Sequence, residues 1–169
     1  MSTLTEPLIT RAELQPGDIL LYCPVSPWGW LIRLKTWSPV SHCETYAGQG
    51  KSIGARDGRG VNTYDLMTDH LRNVVRPPST LDLAKMLTWH QSVIGKGYDW
   101  WGLMAFFRLG KGVKDRYTCS EHVTLAMRAG GIEFFQPNYP AQSVSPGMFL
   151  TSPIAEVCAY VEDAAREAA

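Results

Sequence analysis

The chain has 169 residues, of which 45% are hydrophobic and 19% are charged, a composition typical of one soluble globular domain with a proper core. Lysine plus arginine and aspartate plus glutamate both number 16, so the formal net charge is zero, and no dense basic run argues for nucleic acid or an anionic membrane surface as a partner. No signal peptide is visible, and the apolar run WWGLMAFF is much shorter than the roughly 20 residues of a transmembrane helix. We therefore expect one cytoplasmic domain over residues 1–169.

The first half of the chain predicts mainly strands. A turn signal and a short apolar run predict a strand from Asp18 to about Tyr22. Helical spacing in SPWGWLIRLKTW predicts a short amphipathic helix, which a Ser-Pro pair ends. Two extended segments around a Gly-Gln-Gly turn then predict a hairpin, and RNVVRPP predicts a strand that two prolines stop.

The second half predicts mainly helices. Apolar residues at three- and four-residue steps predict a helix over 81–94, with Ser79-Thr80 available as its cap. Further helices are predicted over 100–109, over 119–127 before a Gly-Gly stop, and over the Ala-rich C-terminal segment 153–168. This separation predicts an α+β domain in which an antiparallel sheet packs against helices.

The four cysteines have irregular spacings and no CxxC pair, so we expect free thiols. Cys23, Cys43 and Cys158 are expected in or near the core, with Cys43 on the strand face opposite its neighbour His42. Cys119 differs because it stands where a helix begins in DRYTCSEHVTLAMRAGG, and free N–H groups and the helix macrodipole stabilise a thiolate there.

A nucleophilic thiol needs an imidazole base, and the chain has four histidines. His42 opens the predicted strand SHCETY and is the best candidate. His70 and His90 have no chemically matching neighbours, and His122, one turn after Cys119, would face another flank of the helix. Helix position alone leaves Cys119 open as a nucleophile, a metal ligand or a small core residue.

Several segments read together resemble a known family. LQPGDILLY, SHCETYAGQGKSIGARDGRGV, GKGYDWWGL and YTCSEHV resemble, in this order, the circularly permuted NlpC/P60 proteins of the YiiX/YaeF type, a papain-like group. The resemblance covers about residues 14–135, and YTCSEHV some 20 residues after YDW is its most specific element. It implies a circularly permuted papain-like fold, in which the histidine strand precedes the cysteine helix.

The resemblance also implies roles for individual residues. Cys119 would be the nucleophile, and His42 the general base that takes its proton and later returns it to the leaving group. Tyr98 matches a family tyrosine whose hydroxyl can face the developing oxyanion together with the Cys119 backbone N–H.

The third catalytic position departs from the family pattern, because Gly54 occupies it and a glycine cannot orient an imidazole. Glu44 can orient the imidazole, because it lies two residues after His42 on the predicted strand and the two side chains therefore share one face. The hairpin would also place Arg56 or Asp57 across from His42, which makes Asp57 a second candidate.

These features favour a cysteine-dependent hydrolase, amidase or peptidase-like, that cleaves an amide or ester through an acyl-enzyme without a cofactor. The expected substrates are a peptide, a peptidoglycan fragment or an acyl amide. A thiol acyltransferase or lipid amide or ester hydrolase on the same fold stays open, because the aromatic-rich segments could line an acyl groove. A non-catalytic binding module stays open because of the glycine at the third position.

A zinc site is a weaker alternative. Ligand types are present, but adjacent strand residues 42 and 43 point apart, and neither CxxC nor HExxH occurs. The candidate ligands are His42, Cys43, Cys119, Glu121 and His122.

Overall fold

A computed structural model describes residues 6–24, 27–99 and 115–162, and these form a mixed α+β fold with a large, mostly antiparallel sheet. The helix predicted over 100–109 lies outside the described residues. The described helices are α1 (Pro27–Thr36), α2 (Leu83–Val93) and α3 (Cys119–Ala129). The described strands are β1 (Leu8–Ile9), β2 (Ile19–Tyr22), β3 (His42–Gly48), β4 (Lys51–Arg56), β5 (Gly60–Asp65), β6 (Leu71–Arg76), β7 (Gly97–Tyr98), β8 (Arg116–Tyr117) and β9 (Glu156–Tyr160).

The main sheet has the strand order β1-β9-β6-β2-β3-β4-β5. Only β1 and β9 pair in parallel among its described strands, and the other neighbours are antiparallel. The predicted hairpin is β3–β4, where Gln49 and Gly50 adopt φ values of 53° and 67°. Two successive left-handed residues give a tight turn whose twist matches that of the flanking strands. The short strands β7 and β8 form a second, two-stranded sheet next to β5.

The helices α2 and α3 cover one face of the sheet. Helix α3 begins at Cys119, as predicted, whereas α2 begins after Asp82, whose side chain accepts a hydrogen bond from the Lys85 N–H at 3.0 Å. The cap predicted at Ser79-Thr80 is therefore wrong, because the two prolines at 77–78 are followed by a turn before the helix starts. The core between helices and sheet contains Ile19, Leu21, Cys43, Val75, Met86, Cys119, Val123, Ala126 and Met127.

The prediction of a helix over 153–168 is wrong where the structure describes that segment. Residues 156–160 form β9, which inserts between β6 and β1 and pairs Val74 with Cys158. The backbone of β6 would otherwise present an unpaired edge, and this pairing satisfies it. Residues 163–168 lie outside the described ranges.

Of the helices in the described ranges, none combines the length and the apolar character that a bilayer span requires.

Candidate active site

The N-terminus of α3 fixes the position of Cys119, its first residue. Thr118 is the N-cap and forms a capping box with Glu121: the Glu121 N–H donates to Thr118 Oγ1 at 3.3 Å, and the Thr118 N–H donates to Glu121 Oε2 at 3.4 Å. The cap prevents fraying, so the thiol of Cys119, only 5% exposed, is held where the helix dipole favours a negative charge.

Strand β3 brings His42 to this thiol and places Glu44 on the other side of the imidazole. His42 Nε2 lies 3.0 Å from Glu44 Oε1. Because Nε2 is engaged with the carboxylate, Nδ1 is the ring nitrogen left to face Cys119. The side chain of His42 is 22% exposed and that of Glu44 is fully buried, so the carboxylate supports the ring from the protein interior.

Glu44 has a complete set of hydrogen-bond donors. Arg56 donates from Nε at 2.5 Å and from Nη2 at 2.9 Å, and Ser52 Oγ donates at 2.6 Å. Burial by itself raises the pKa of Glu44, but the hydrogen bonds from Arg56 and His42 outweigh it and hold this pKa well below its usual range. Glu44 is therefore a buried, ionised carboxylate with fixed geometry.

Gly54 provides the space for this carboxylate. It lies opposite Glu44 when the β3–β4 register of Thr45 with Ile53 and Tyr46 with Ser52 is continued. A Cβ at position 54 would come within 2.6 Å of Glu44 Cγ and 3.1 Å of Oε1. Gly54, the residue that departs from the pattern expected from the sequence resemblance, is thus the residue that leaves room for Glu44 beside His42.

The electrostatics favour a thiolate–imidazolium pair. A hydrogen bond from Cys43 and the charge of His42 hold the pKa of Cys119 well below its usual range, although burial opposes them. Burial also lowers the pKa of His42, but the neighbouring Cys119 and Glu44 raise it to about 10. Near neutral pH, a negative Cys119 therefore faces a positive His42, backed by the negative Glu44.

Cys43 is a residue of the site that the sequence analysis assigned to the core or, in the weaker alternative, to a zinc site. It is fully buried on the helix-facing side of the sheet, as predicted, but it also lies against Cys119 and lowers the pKa of that thiol. Burial and the adjacent Cys119 raise the pKa of Cys43 well above its ordinary value. It stays a neutral thiol and acts as a donor.

Tyr98 lies near Cys119, on β7. Its ring packs with Ala55, Val61 and Val93, and burial followed by the charge of Cys119 raises the pKa of its hydroxyl. The hydroxyl is therefore protonated at neutral pH, as an oxyanion donor must be, and that role stays a prediction.

A cavity of about 300 Å³ opens beside the exposed side of His42. Asp57, the second candidate for the third catalytic residue, lines this cavity, whereas Glu44 is the carboxylate hydrogen-bonded to the imidazole. The lining residues are Tyr22, Pro24, His42, Glu44, Arg56, Asp57, Met67, Asp69 and His70.

His90 and His122 form a separate buried pair behind the Cys119 helix turn, which corrects the expectation that His90 has no matching neighbour. His90 Nδ1 lies 3.2 Å from His122 Nε2, and both side chains are fully buried. Burial lowers the pKa of His90 to about 4 and that of His122 well below its usual range, so both rings are neutral. Neither can replace His42 as the partner of the thiolate.

The described residues contain no group of three or more His, Cys, Asp or Glu side chains arranged to hold a metal ion. Of the five candidate ligands singled out in the sequence, His122 contacts His90 and Glu121 contacts the helix cap. All four cysteines are free thiols.

Ser52 and Arg56 complete the site, and the sequence indicated them incompletely. The hairpin register pointed to Arg56 or Asp57 across from His42, and Arg56 binds Glu44 instead of His42. Ser52 lies two residues from Gly54 and so shares its strand face, a signal that becomes readable once Glu44 is assigned.

No family model matches the chain, and no curated protein matches it. A solved structure does resemble it: the crystal structure of the metalloprotein YiiX from Escherichia coli O157:H7 (DUF1105) matches with a TM-score of 0.62 and 21% sequence identity. The match covers 85% of this chain and 95% of that one. The two proteins share a fold. At this identity the likeness to YiiX concerns the fold alone, so activity must be argued from the site.

Proposed function

We propose that this chain is a cysteine-dependent hydrolase that cleaves an amide or ester through an acyl-enzyme. The observation that carries the proposal is the grouping of Cys119, His42 and Glu44, in which a buried carboxylate lies 3.0 Å from the imidazole that interacts with a thiol at a helix N-terminus. Nucleophile, base and orienting group in this order are what covalent acyl transfer requires.

In the proposed reaction, the Cys119 thiolate attacks the carbonyl carbon and forms a C–S bond, while the carbonyl π electrons move to oxygen. Collapse of this tetrahedral species breaks the bond to the leaving nitrogen or oxygen, which takes the proton from the His42 imidazolium. Neutral His42 then removes a proton from water, which attacks the thioester and releases the acid and the thiolate. Glu44 keeps the ring oriented and stabilises the imidazolium at each stage.

We further propose that the fold is the circularly permuted NlpC/P60 arrangement. The support is the chain order, because the strand that carries His42 precedes the helix that carries Cys119. In this interpretation Glu44 and Gly54 together replace the third residue of the family. The carboxylate comes from the same strand as the base, and the glycine on the facing strand leaves space for it.

Metal chemistry has no part in this proposal, although the structural neighbour YiiX is named a metalloprotein. Both carboxylate oxygens of Glu44 are already engaged by donors, and His42 Nε2 faces that carboxylate. A cation would have to displace Arg56 and Ser52 to reach this group. The residues therefore fit a thiolate–imidazolium pair better than a metal site.

The substrates we propose are peptides, peptidoglycan fragments or acyl amides. Hydrolysis and acyl transfer share the same thioester and differ in whether water or another acceptor attacks it. The choice can be made by incubating the protein with one acyl amide in the presence and absence of an added amine and identifying the products by mass spectrometry.

The experiment that tests the proposed function is the pH dependence of iodoacetamide labelling at Cys119, followed by mass spectrometry. We expect fast labelling well below pH 8.5, the ordinary thiol range, and slower labelling in His42→Ala at the same pH. Cys158 in the same protein serves as a comparison thiol whose pKa burial raises, and free cysteine added to the solution reports ordinary thiol reactivity.

His70→Ala is the matched control, because His70 lines the same cavity but is exposed and lies outside the thiolate contact. It should leave the labelling of Cys119 unchanged. If Cys119 labels no faster than Cys158 and is indifferent to His42→Ala, the catalytic proposal fails, and a binding module on this fold is the better account.

A further inference from the structure

Helix α1 and the residue that follows it present three large apolar side chains to solvent. Trp30, Leu34 and Trp37 are 59%, 53% and 91% exposed, and their spacing of four and three residues places them along one side of a helix. The other large exposed hydrophobics of the described chain, Leu8, Met67 and Ile154, come from three separate segments. The aromatic surface of α1 is therefore a patch.

The backbone at the end of this patch directs a tryptophan outward. Trp37 adopts φ 50°, a left-handed conformation that is unfavourable for a bulky residue. The Ser38 N–H donates to the Arg33 carbonyl at 3.2 Å and closes the end of α1 around this left-handed residue, while the side chain of Trp37 stays almost fully exposed. The end of the helix therefore holds a large apolar side chain in solvent.

Positive charge borders the same patch. A groove of about 430 Å³ beside Trp30, Leu34 and Trp37 is also lined by Arg33 and Arg72. Arg33 Nη1 donates a hydrogen bond to Cys23 Sγ, which holds this guanidinium in the groove. Among the described residues that line the groove, two are guanidiniums and none is an acid. The local charge is thus positive although the chain as a whole has a formal net charge of zero.

We propose that this surface docks on an anionic lipid bilayer. Tryptophan rings favour the boundary between headgroups and acyl chains, because they combine an apolar body with a polar N–H. Guanidiniums beside them attract lipid phosphates. A purely apolar partner would give the two arginines nothing to neutralise, and an acidic soluble partner would leave the tryptophans without apolar surroundings.

The patch lies at the end of the sheet that carries His42. Helix α1 connects β2 to β3, and Tyr22, the last residue of β2, pairs with His42. Cys23 lines the groove, and its N–H donates to the His70 carbonyl at 2.8 Å, while His70 lines the cavity beside His42. Docking would therefore bring that cavity next to the lipid surface. The docking itself does not depend on the proposed chemistry.

The test is flotation of the full chain with vesicles of phosphatidylcholine alone and of phosphatidylcholine with an equal amount of phosphatidylglycerol. We expect stronger binding to the anionic vesicles, and weaker binding at high salt. Trp37→Ala should weaken binding to the anionic vesicles about tenfold, since it removes a large apolar surface that docking would bury in the bilayer. Arg72→Gln should weaken it about fivefold on these vesicles and leave binding to neutral ones unchanged.

Ile154→Ala is the matched control, because Ile154 is an exposed apolar residue, 43% exposed, from a different segment. It should bind like the unmodified protein. Absence of vesicle binding, or equal losses in Ile154→Ala and Trp37→Ala, would overturn the proposal. So would concentration-dependent self-association in light scattering that Trp37→Ala abolishes without any vesicle binding, since the patch would then join two copies. Cys119 labelling should be unchanged in Trp37→Ala, which separates this test from that of the proposed hydrolase.

Discussion

A single added methyl group at Gly54 should uncouple His42 from its carboxylate. In Gly54→Ala, the new Cβ would lie 2.6 Å from Glu44 Cγ, whereas ordinary contact begins at 3.4 Å. Glu44 is fully buried and bound to Arg56 and Ser52, so it has no open space to move into. Glu44 Cγ must move by about 0.8 Å, and because it carries the carboxylate, the 3.0 Å contact to His42 is lengthened and weakened.

Two costs determine the expected magnitude. Overpacking of a closed site costs about 1–3 kcal/mol, and weakening a hydrogen bond between charged groups adds about 1.5–3 kcal/mol if it is lost in full. Because the site relaxes in part, we expect the free energy of unfolding to fall by about 2–4 kcal/mol in urea denaturation. Labelling of Cys119 should move to higher pH, since an imidazolium without Glu44 stabilises the thiolate less.

Gly131→Ala is the control for an unrelated loss of stability. Position 131 has open space, but its φ of 84° strains any residue with a Cβ, at a cost of about 1–2 kcal/mol. This variant should be destabilised with an unchanged Cys119 labelling profile. If Gly54→Ala also keeps the profile of the unmodified protein, Glu44 does not tune the pair and the assignment of its role is refuted.

Three further perturbations probe the surroundings of the thiolate. Cys43→Ala should shift Cys119 labelling to higher pH because it removes a thiol donor, whereas Cys43→Ser keeps a donor and should shift it less; equal shifts would contradict the donor role. Arg56→Met and Arg76→Met each break a buried ion pair, and each should lower the free energy of unfolding in urea by about 3–5 kcal/mol. Only Arg56→Met should alter Cys119 labelling, because Arg76 binds Asp18, which is remote from the site. Burial lowers the pKa of His90 to about 4. Below about pH 6.5 the unfolded chain therefore binds a proton at this residue that the folded protein does not accept. The free energy of unfolding should consequently decrease by about 1.4 kcal/mol per pH unit from pH 6.5 toward 4. In His90→Gln the free energy of unfolding should decrease less steeply over this pH range. If the variant and the unmodified protein show the same slope, the ring of His90 is protonated in the folded protein.

Local patterns predicted the elements that carry the site, because each has a strong sequence signal. The alternation and turn residues of the β3–β4 hairpin, and the polar start and glycine stop of α3, are determined within about a dozen residues each. Strand alternation also placed Glu44 on the face of His42. The pattern could not predict how deep the carboxylate lies, because that depends on the missing side chain at Gly54 on the facing strand.

The errors occurred where tertiary pairing overrides local preference. Alanines in the C-terminal segment favour a helix, but Cys158 and its neighbours pair with β6, and no local pattern specifies that partner. Cys43 was misjudged for a related reason. Its side chain does point away from that of His42 along the strand, but the end of α3 meets the sheet where both residues can reach Cys119.

The separation of β3 and α3 along the chain has a consequence for the reactivity of Cys119 during synthesis and folding. His42 and Cys43 belong to a strand of the first half, and Cys119 belongs to a helix that is synthesised much later. A partly made or partly unfolded chain therefore carries an ordinary, sluggish thiol, and the activated sulfur exists only after β3 and α3 have docked. Alkylation of Cys119 at mildly acidic pH thus reports native assembly at a single atom, and the Cys119 thiol of a nascent chain is expected to react more slowly.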